Sequence, residues 1–156
     1  MKKMNFFKKL VKEGKLGLVN ASEEVKQAYI NKSESNLISA KILLKNERLE
    51  ESISLAYYSM YNLILALFYK TGIKCENHTA SILLLKQVFY YPIDDISFAK
   101  KERVDKQYYF DFKIARKDVD DLIRTAENFN SKILNFISKI NTKDVITYRE
   151  KFSKII

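Results

Sequence analysis

Residues 53–73, ISLAYYSMYNLILALFYKTGI, constrain the fold of this chain more than any other stretch. Ile53, Ala56, Tyr57, Met60, Leu63, Ile64, Leu67 and Phe68 recur at helical spacing. The positions between them are also largely apolar, so a helix here is greasy on almost every side. Such a helix either lies inside a bundle or crosses a bilayer. A crossing needs about 18–20 clean apolar residues. Ser54, Ser59, Asn62 and Lys70 break this run, and Glu50 and Glu51 closely precede it. The segment is therefore read as the central helix of a bundle, with no membrane span.

The rest of the chain agrees with a helical fold. There are 3 glycines and 1 proline in 156 residues, too few for the many tight turns of a β-rich domain. Residues 1–20 hold a short amphipathic helix (Met4, Phe7, Leu10, Val11), ended by Gly14 and Gly17 and expected to dock on the body. An in-plane membrane helix is the alternative for it. Ser22 opens the next helix as an N-cap, with Glu23 and Glu24 in its first turn. The polar NKSES in its middle is expected to bend or split it. Gly72 stands where a helix C′ glycine belongs, and IKCEN then makes a tight connection. Asn77 caps a helix that stops before Pro92. Residues 93–115 read as a loop followed by a helix from about Lys100. Val119, Leu122, Ala126, Phe129, Ile133, Phe136 and Ile140 alternate spacings of three and four, a seam suited to an antiparallel bundle neighbour. A short amphipathic tail closes the chain. The expectation is all-α, an up-and-down bundle of five to six helices, with residues 21–156 forming its body.

The formal net charge is +9. It reads either as a lysine-rich solvated surface or as the footprint of a nucleic acid. Of 28 cations only Arg48, Arg103, Arg116, Arg124 and Arg149 are arginine. Lysine acts as a point charge, whereas arginine forks onto phosphates and base edges. Contact with a nucleic acid is thus expected to follow the backbone and to weaken with salt. One cysteine excludes an internal disulfide, and the basic start, MKKMNFFKKLVKEG, lacks the unbroken apolar core of a secretory signal. A cytoplasmic location is expected.

Leu37 with Ala40, the run Ala56-Tyr57-Tyr58-Ser59-Met60-Tyr61, Ala66-Leu67, Gly72 and His78 form a pattern. RVDKQYYFD at 103–111 and AENF at 126–129 extend it. The pattern resembles the HEPN family, in particular its small stand-alone prokaryotic members, over roughly residues 22–140. The resemblance implies an all-α bundle, commonly a homodimer. It also implies one of several roles: a metal-independent ribonuclease toxin of a toxin–antitoxin type system, a partner of a minimal nucleotidyltransferase, or a nucleotide-binding module. No cofactor is implied. Ribonuclease members carry an arginine and a histidine separated by four to six residues on one helix. There the imidazole moves a proton at the ribose 2′-oxygen and the guanidinium stabilises the phosphorane. Here residues 71–73 are Thr-Gly-Ile, and the nearest upstream arginine is Arg48. The cleavage motif does not carry over.

The candidate ligand-binding residues are Tyr57, Tyr61, His78, Arg103, Tyr108, Tyr109 and Arg116. Tyrosines interleaved with cations can stack bases and attract phosphates, although Tyr57 and Tyr61 also read as core residues with hydroxyls reaching polar partners. His78 is the weak catalytic candidate, set against a neutral histidine that merely bonds a turn at a helix start. Cys75 and His78 are half of a zinc ligand set. Asp118, Asp120 and Asp121 open a helix and match its dipole. The leading expectation is a non-catalytic module that binds a nucleotide, RNA or a minimal nucleotidyltransferase. A divergent ribonuclease using His78 and a structural interaction protein are the alternatives.

Overall fold

The computed structural model describes the backbone of residues 2–108 and 113–156 and the side chains of residues 6–106 and 113–156. Seven helices and two short strands follow in the order α1 (Lys2–Lys12), β1 (Leu16–Leu18), α2 (Glu23–Lys45), α3 (Leu49–Thr71), β2 (Ile73–Cys75), α4 (His78–Gln87), α5 (Asp94–Tyr108), α6 (Arg116–Ser138) and α7 (Thr142–Ile155). The fold is an all-α bundle, and the seven helices among the described residues are one or two more than the expected five to six. No helix among the described residues is long and apolar enough to cross a membrane.

The greasy helix α3 is the hub. It packs on α2, α5 and α6, and Ala56, Tyr57, Met60, Ile64, Leu67 and Phe68 are fully buried. The α6 seam faces it, with Val119, Leu122, Ala126, Phe129 and Ile133 all buried. Helix α1 buries Phe7 and Leu10 against the same core. Three terminal signals act as read. Ser22 accepts a hydrogen bond from the Val25 amide at 3.1 Å, and Asn77 accepts one from Ala80 at 2.9 Å. Gly72 adopts φ 79° at the end of α3.

NKSES does not split α2, which runs unbroken from Glu23 to Lys45. Its small residue Ser33 turns inward, is 2% exposed, and donates to the Ser59 carbonyl on α3 at 2.6 Å. The larger polar residues around it stay in solvent. Ser52 on α3 likewise donates to the Ala40 carbonyl on α2 at 2.7 Å. Polar groups thus rivet the two helices because each finds a partner.

Two further differences bear on the site. IKCEN is not a bare connection: Ile73–Cys75 pairs antiparallel with Leu16–Leu18, Leu16 opposite Cys75 and Leu18 opposite Ile73. Arg149 of α7 locks this ribbon, its Nη1 donating to the carbonyls of Val19 (2.8 Å), Gly72 (2.9 Å) and Thr71 (3.3 Å). A Cβ on Gly72 would run into that guanidinium. Helix α5 starts at Asp94, about two turns before the expected Lys100. Asp94 and Asp95 occupy its first turn, favourable to the dipole, and Ile96 and Ala99 supply a short buried stripe.

Candidate functional site

The ribbon and Asn77 fix where α4 begins, and so where His78 stands. His78 is the first residue of α4 and half-buried. Its ring stacks on Tyr61 at a centroid distance of 3.8 Å and an interplanar angle of 8°. Its Nδ1 lies 2.8 Å from the Tyr57 hydroxyl, the donor being set by the imidazole tautomer. Tyr58 meets the same ring edge-on at 6.0 Å. Tyr57 and Tyr61 are four residues apart on α3, one helical turn, so both reach one imidazole. The Tyr61 hydroxyl lies 3.2 Å from Ser81 Oγ on α4.

Arg103 arrives from α5. Ile96, Ala99 and Arg103 lie at i, i+3 and i+7, so the arginine continues the inward stripe of its helix. Its guanidinium sits over the rings of Tyr58 (5.0 Å) and Tyr57 (5.7 Å). Its Nε is buried and has no hydrogen-bond partner among the described residues. Lys100, one turn earlier, donates to Thr79 Oγ1 at 2.7 Å.

These surroundings set the protonation states. Burial first, then the charges of Arg103 and Lys100, hold the His78 pKa below its ordinary value. The imidazole is therefore neutral at neutral pH. Burial raises the Tyr57 pKa and pushes Tyr61 up to about 12, so both hydroxyls keep their protons. Burial and then the Arg103 charge lower the Lys100 pKa.

A groove of about 400 Å³ opens beside this cluster, between α2 and α3. Its α3 wall is Leu55, Tyr58, Asn62 and Leu65, at spacings of three, four and three. Its α2 wall is Tyr29, Lys32 and Asn36, at three and four. Tyr61 and His78 complete the lining, which contains no acidic residue. A neutral, aromatic trough with Lys32 on its wall and Arg103 and Lys100 beside its histidine can hold a flat ring and attract an anion.

Of the residues singled out in the sequence, Tyr57, Tyr61, His78 and Arg103 come together here. Arg116 is engaged elsewhere. It donates to the Leu44 carbonyl at 3.1 Å and pairs with Glu47 in the turn between α2 and α3. Tyr109 and the side chain of Tyr108 lie outside the described residues. Cys75 is buried in the ribbon with its Sγ 3.4 Å from the Asn77 carbonyl, and burial pushes its thiol pKa up. Among the described residues no three His, Cys, Asp or Glu side chains gather to hold a metal. Asp120 pairs with Arg124 one turn on, at 3.0 Å. Sequence reasoning missed Lys100, Lys32, Asn36 and Asn62. The signal that would have found the groove is the second α3 stripe at 55, 58, 62 and 65, flanking the buried one.

Comparison with known proteins follows the same segment of chain. A family model described as the HEPN domain matches residues 26–136. The UPF0332 protein PH1297 of Pyrococcus horikoshii is 41% identical over 64 residues, covering 41% of this chain and 44% of that protein. The match thus spans less than half the length of that relative.

Proposed function

This chain belongs to the HEPN family, and we propose that it is a non-catalytic binding module whose α2–α3 groove takes a nucleotide or a single-stranded RNA segment. One observation carries the reading: a trough lined by tyrosines and a neutral imidazole, free of acidic residues, with Arg103 and Lys100 near its histidine. Tyrosine faces stack bases with little regard to sequence, and cations draw the phosphates. The buried, unpaired Nε of Arg103 supports an anion there.

Calorimetric titration with nucleoside monophosphates and a short single-stranded RNA tests this. Binding is expected to weaken as salt rises and to weaken further in Arg103→Met and Lys32→Met. If neither ligand binds at low salt, the reading fails.

The juxtaposition of Arg103 and His78 favours a second reading, metal-independent RNA cleavage. The neutral imidazole would act as the base and the guanidinium would stabilise the phosphorane. Two features support binding over cleavage. Tyr57 already occupies Nδ1, and the lowered pKa makes the imidazolium scarce as an acid for the leaving oxygen. RNA cleavage in the presence of a chelator, abolished in His78→Ala, would put the second reading first.

The proposed partners are a second copy of the chain or a minimal nucleotidyltransferase. Ile38 and Ile42, one turn apart on the outer face of α2, are 60% and 56% exposed and offer either an apolar hold.

A further inference from the structure

Asn62 has no structural task. It is 5% exposed and lines the groove, yet its carboxamide makes no hydrogen bond among the described residues. Among the described residues the fully buried polar side-chain atoms left without a partner are Arg103 Nε and Asn130 Oδ1. The Asn62 carboxamide instead stays open to the groove, whereas neighbouring polar groups on α3 are committed within the fold. Ser52 and Ser59, both fully buried, have their hydroxyls engaged at 2.7 Å. The Asn62 donors and acceptor face the trough between Tyr58 and Leu65, one turn to either side on the same strip of α3. An uncommitted amide on an aromatic and apolar wall suits a flat ligand whose edge presents a donor next to an acceptor.

We propose that Asn62 is the specificity-determining residue of the groove and that the ligand it selects is an adenine nucleotide. The proposal rests on the nucleotide reading given above. Asparagine meets adenine bidentately, Oδ1 accepting from the amine while Nδ2 donates to the adjacent ring nitrogen. Adenine offers that pair on both sides of its amine, so either edge fits. Guanine places its carbonyl and two donor groups along one edge, more than a single carboxamide can satisfy, and leaves a polar group unpaired against Leu55 or Leu65. The pyrimidines pair with an amide but cover less of the aromatic and apolar wall formed by Tyr58, Leu55 and Leu65. A site that hydrogen-bonds an amine rejects the analogue without it, because its own buried group is then stranded.

The test titrates the full chain by calorimetry with AMP, GMP, CMP, UMP and purine riboside monophosphate, which is AMP without its amine. AMP is expected to bind tightest, with the amine-less analogue about tenfold weaker. Asn62→Leu is expected to bring AMP and the analogue to equal affinity while the melting transition stays cooperative. Oligoadenylate run beside AMP separates the two sources of adenine: tighter binding of the oligomer assigns RNA, equal binding assigns a free nucleotide, and both uphold adenine selection. If the wild-type chain binds AMP and the analogue equally, or favours another base, the role of Asn62 is overturned and the nucleotide groove stands. If no mononucleotide and no oligomer binds, both readings fall together. The wild-type comparison with the analogue decides the matter even where Asn62→Leu does not fold.

Discussion

Ser59 and Asn62 lie three residues apart on α3, both polar and both buried, and their surroundings differ completely. Ser59 faces α2 and α6. Its hydroxyl donates to the Ala56 carbonyl at 2.7 Å and accepts from Asn130 Nδ2 of α6 at 3.2 Å, while its carbonyl accepts from Ser33 of α2 at 2.6 Å. Three helices meet at one serine. Asn62 faces the groove and meets no hydrogen-bond partner among the described residues. The contrast separates two reasons for a polar residue in a greasy helix. One joins elements by completing each other's hydrogen bonds, and the other leaves a group open at a cavity wall.

The largest effect should come from the joined position. Ser59→Ala adds no bulk but removes the one hydrogen-bond partner that the Asn130 carboxamide has among the described residues, its Oδ1 being already buried and unpaired. A stranded amide in a tight three-helix contact is expected to cost about 2–4 kcal/mol, read as a lower urea midpoint with an unchanged slope. A cost under about 1 kcal/mol would show that the Ser59 network is incidental, and the contrast would break from that side.

The open position should respond oppositely. Asn62→Leu replaces a groove-facing amide that has no hydrogen-bond partner among the described residues by an apolar side chain of similar size. Stability is expected to stay within about 1 kcal/mol of the wild type, because no partner is stranded by the substitution. The same urea titration decides it. A loss as large as that of Ser59→Ala would mean that Asn62 holds the fold together, and its freedom to meet a ligand would go.

The two positions also mark how far the sequence could be read. The central helix, the α6 seam, the caps at Ser22 and Asn77 and the Gly72 terminus were legible because each signal is local and periodic. The ribbon was not. Leu16–Leu18 and Ile73–Cys75 are each three residues long, too short for an alternating pattern, and their pairing joins distant parts of the chain. The start of α5 was hidden because, among its described side chains, only Ile96 and Ala99 are fully buried within a highly charged run. At the site, Tyr57, Tyr61 and His78 stood out as a motif, whereas Arg103 was a candidate without a location. Its place depends on α5 lying across α3, which no local pattern encodes. Asn62 counted only as an interruption of an apolar run. Whether an interruption is riveted or open is a property of the neighbouring helices.

The smallest expected effect sharpens the open side of the contrast through His78. This is the only histidine in the chain, so its proton resonance can be followed by NMR without assignment ambiguity. Its pKa is held below the ordinary 6.5, mainly by burial and then by Arg103 and Lys100. As pH falls through 6.5 the unfolded chain therefore takes up the proton before the folded one. Stability attributable to this group is intact above that pH and declines below it. Arg103→Met retains the bulk over Tyr57 and Tyr58 but removes one of the two cations. It is expected to raise the His78 midpoint toward 6.5 without reaching it, since burial remains, and to soften the acid loss of stability in step. A bound phosphate should shift the wild-type midpoint in the same direction by offsetting the same cations. If the midpoint ignores both the substitution and phosphate, Arg103 does not share a field with the imidazole, and the cationic end of the groove is not the anion site it is taken to be.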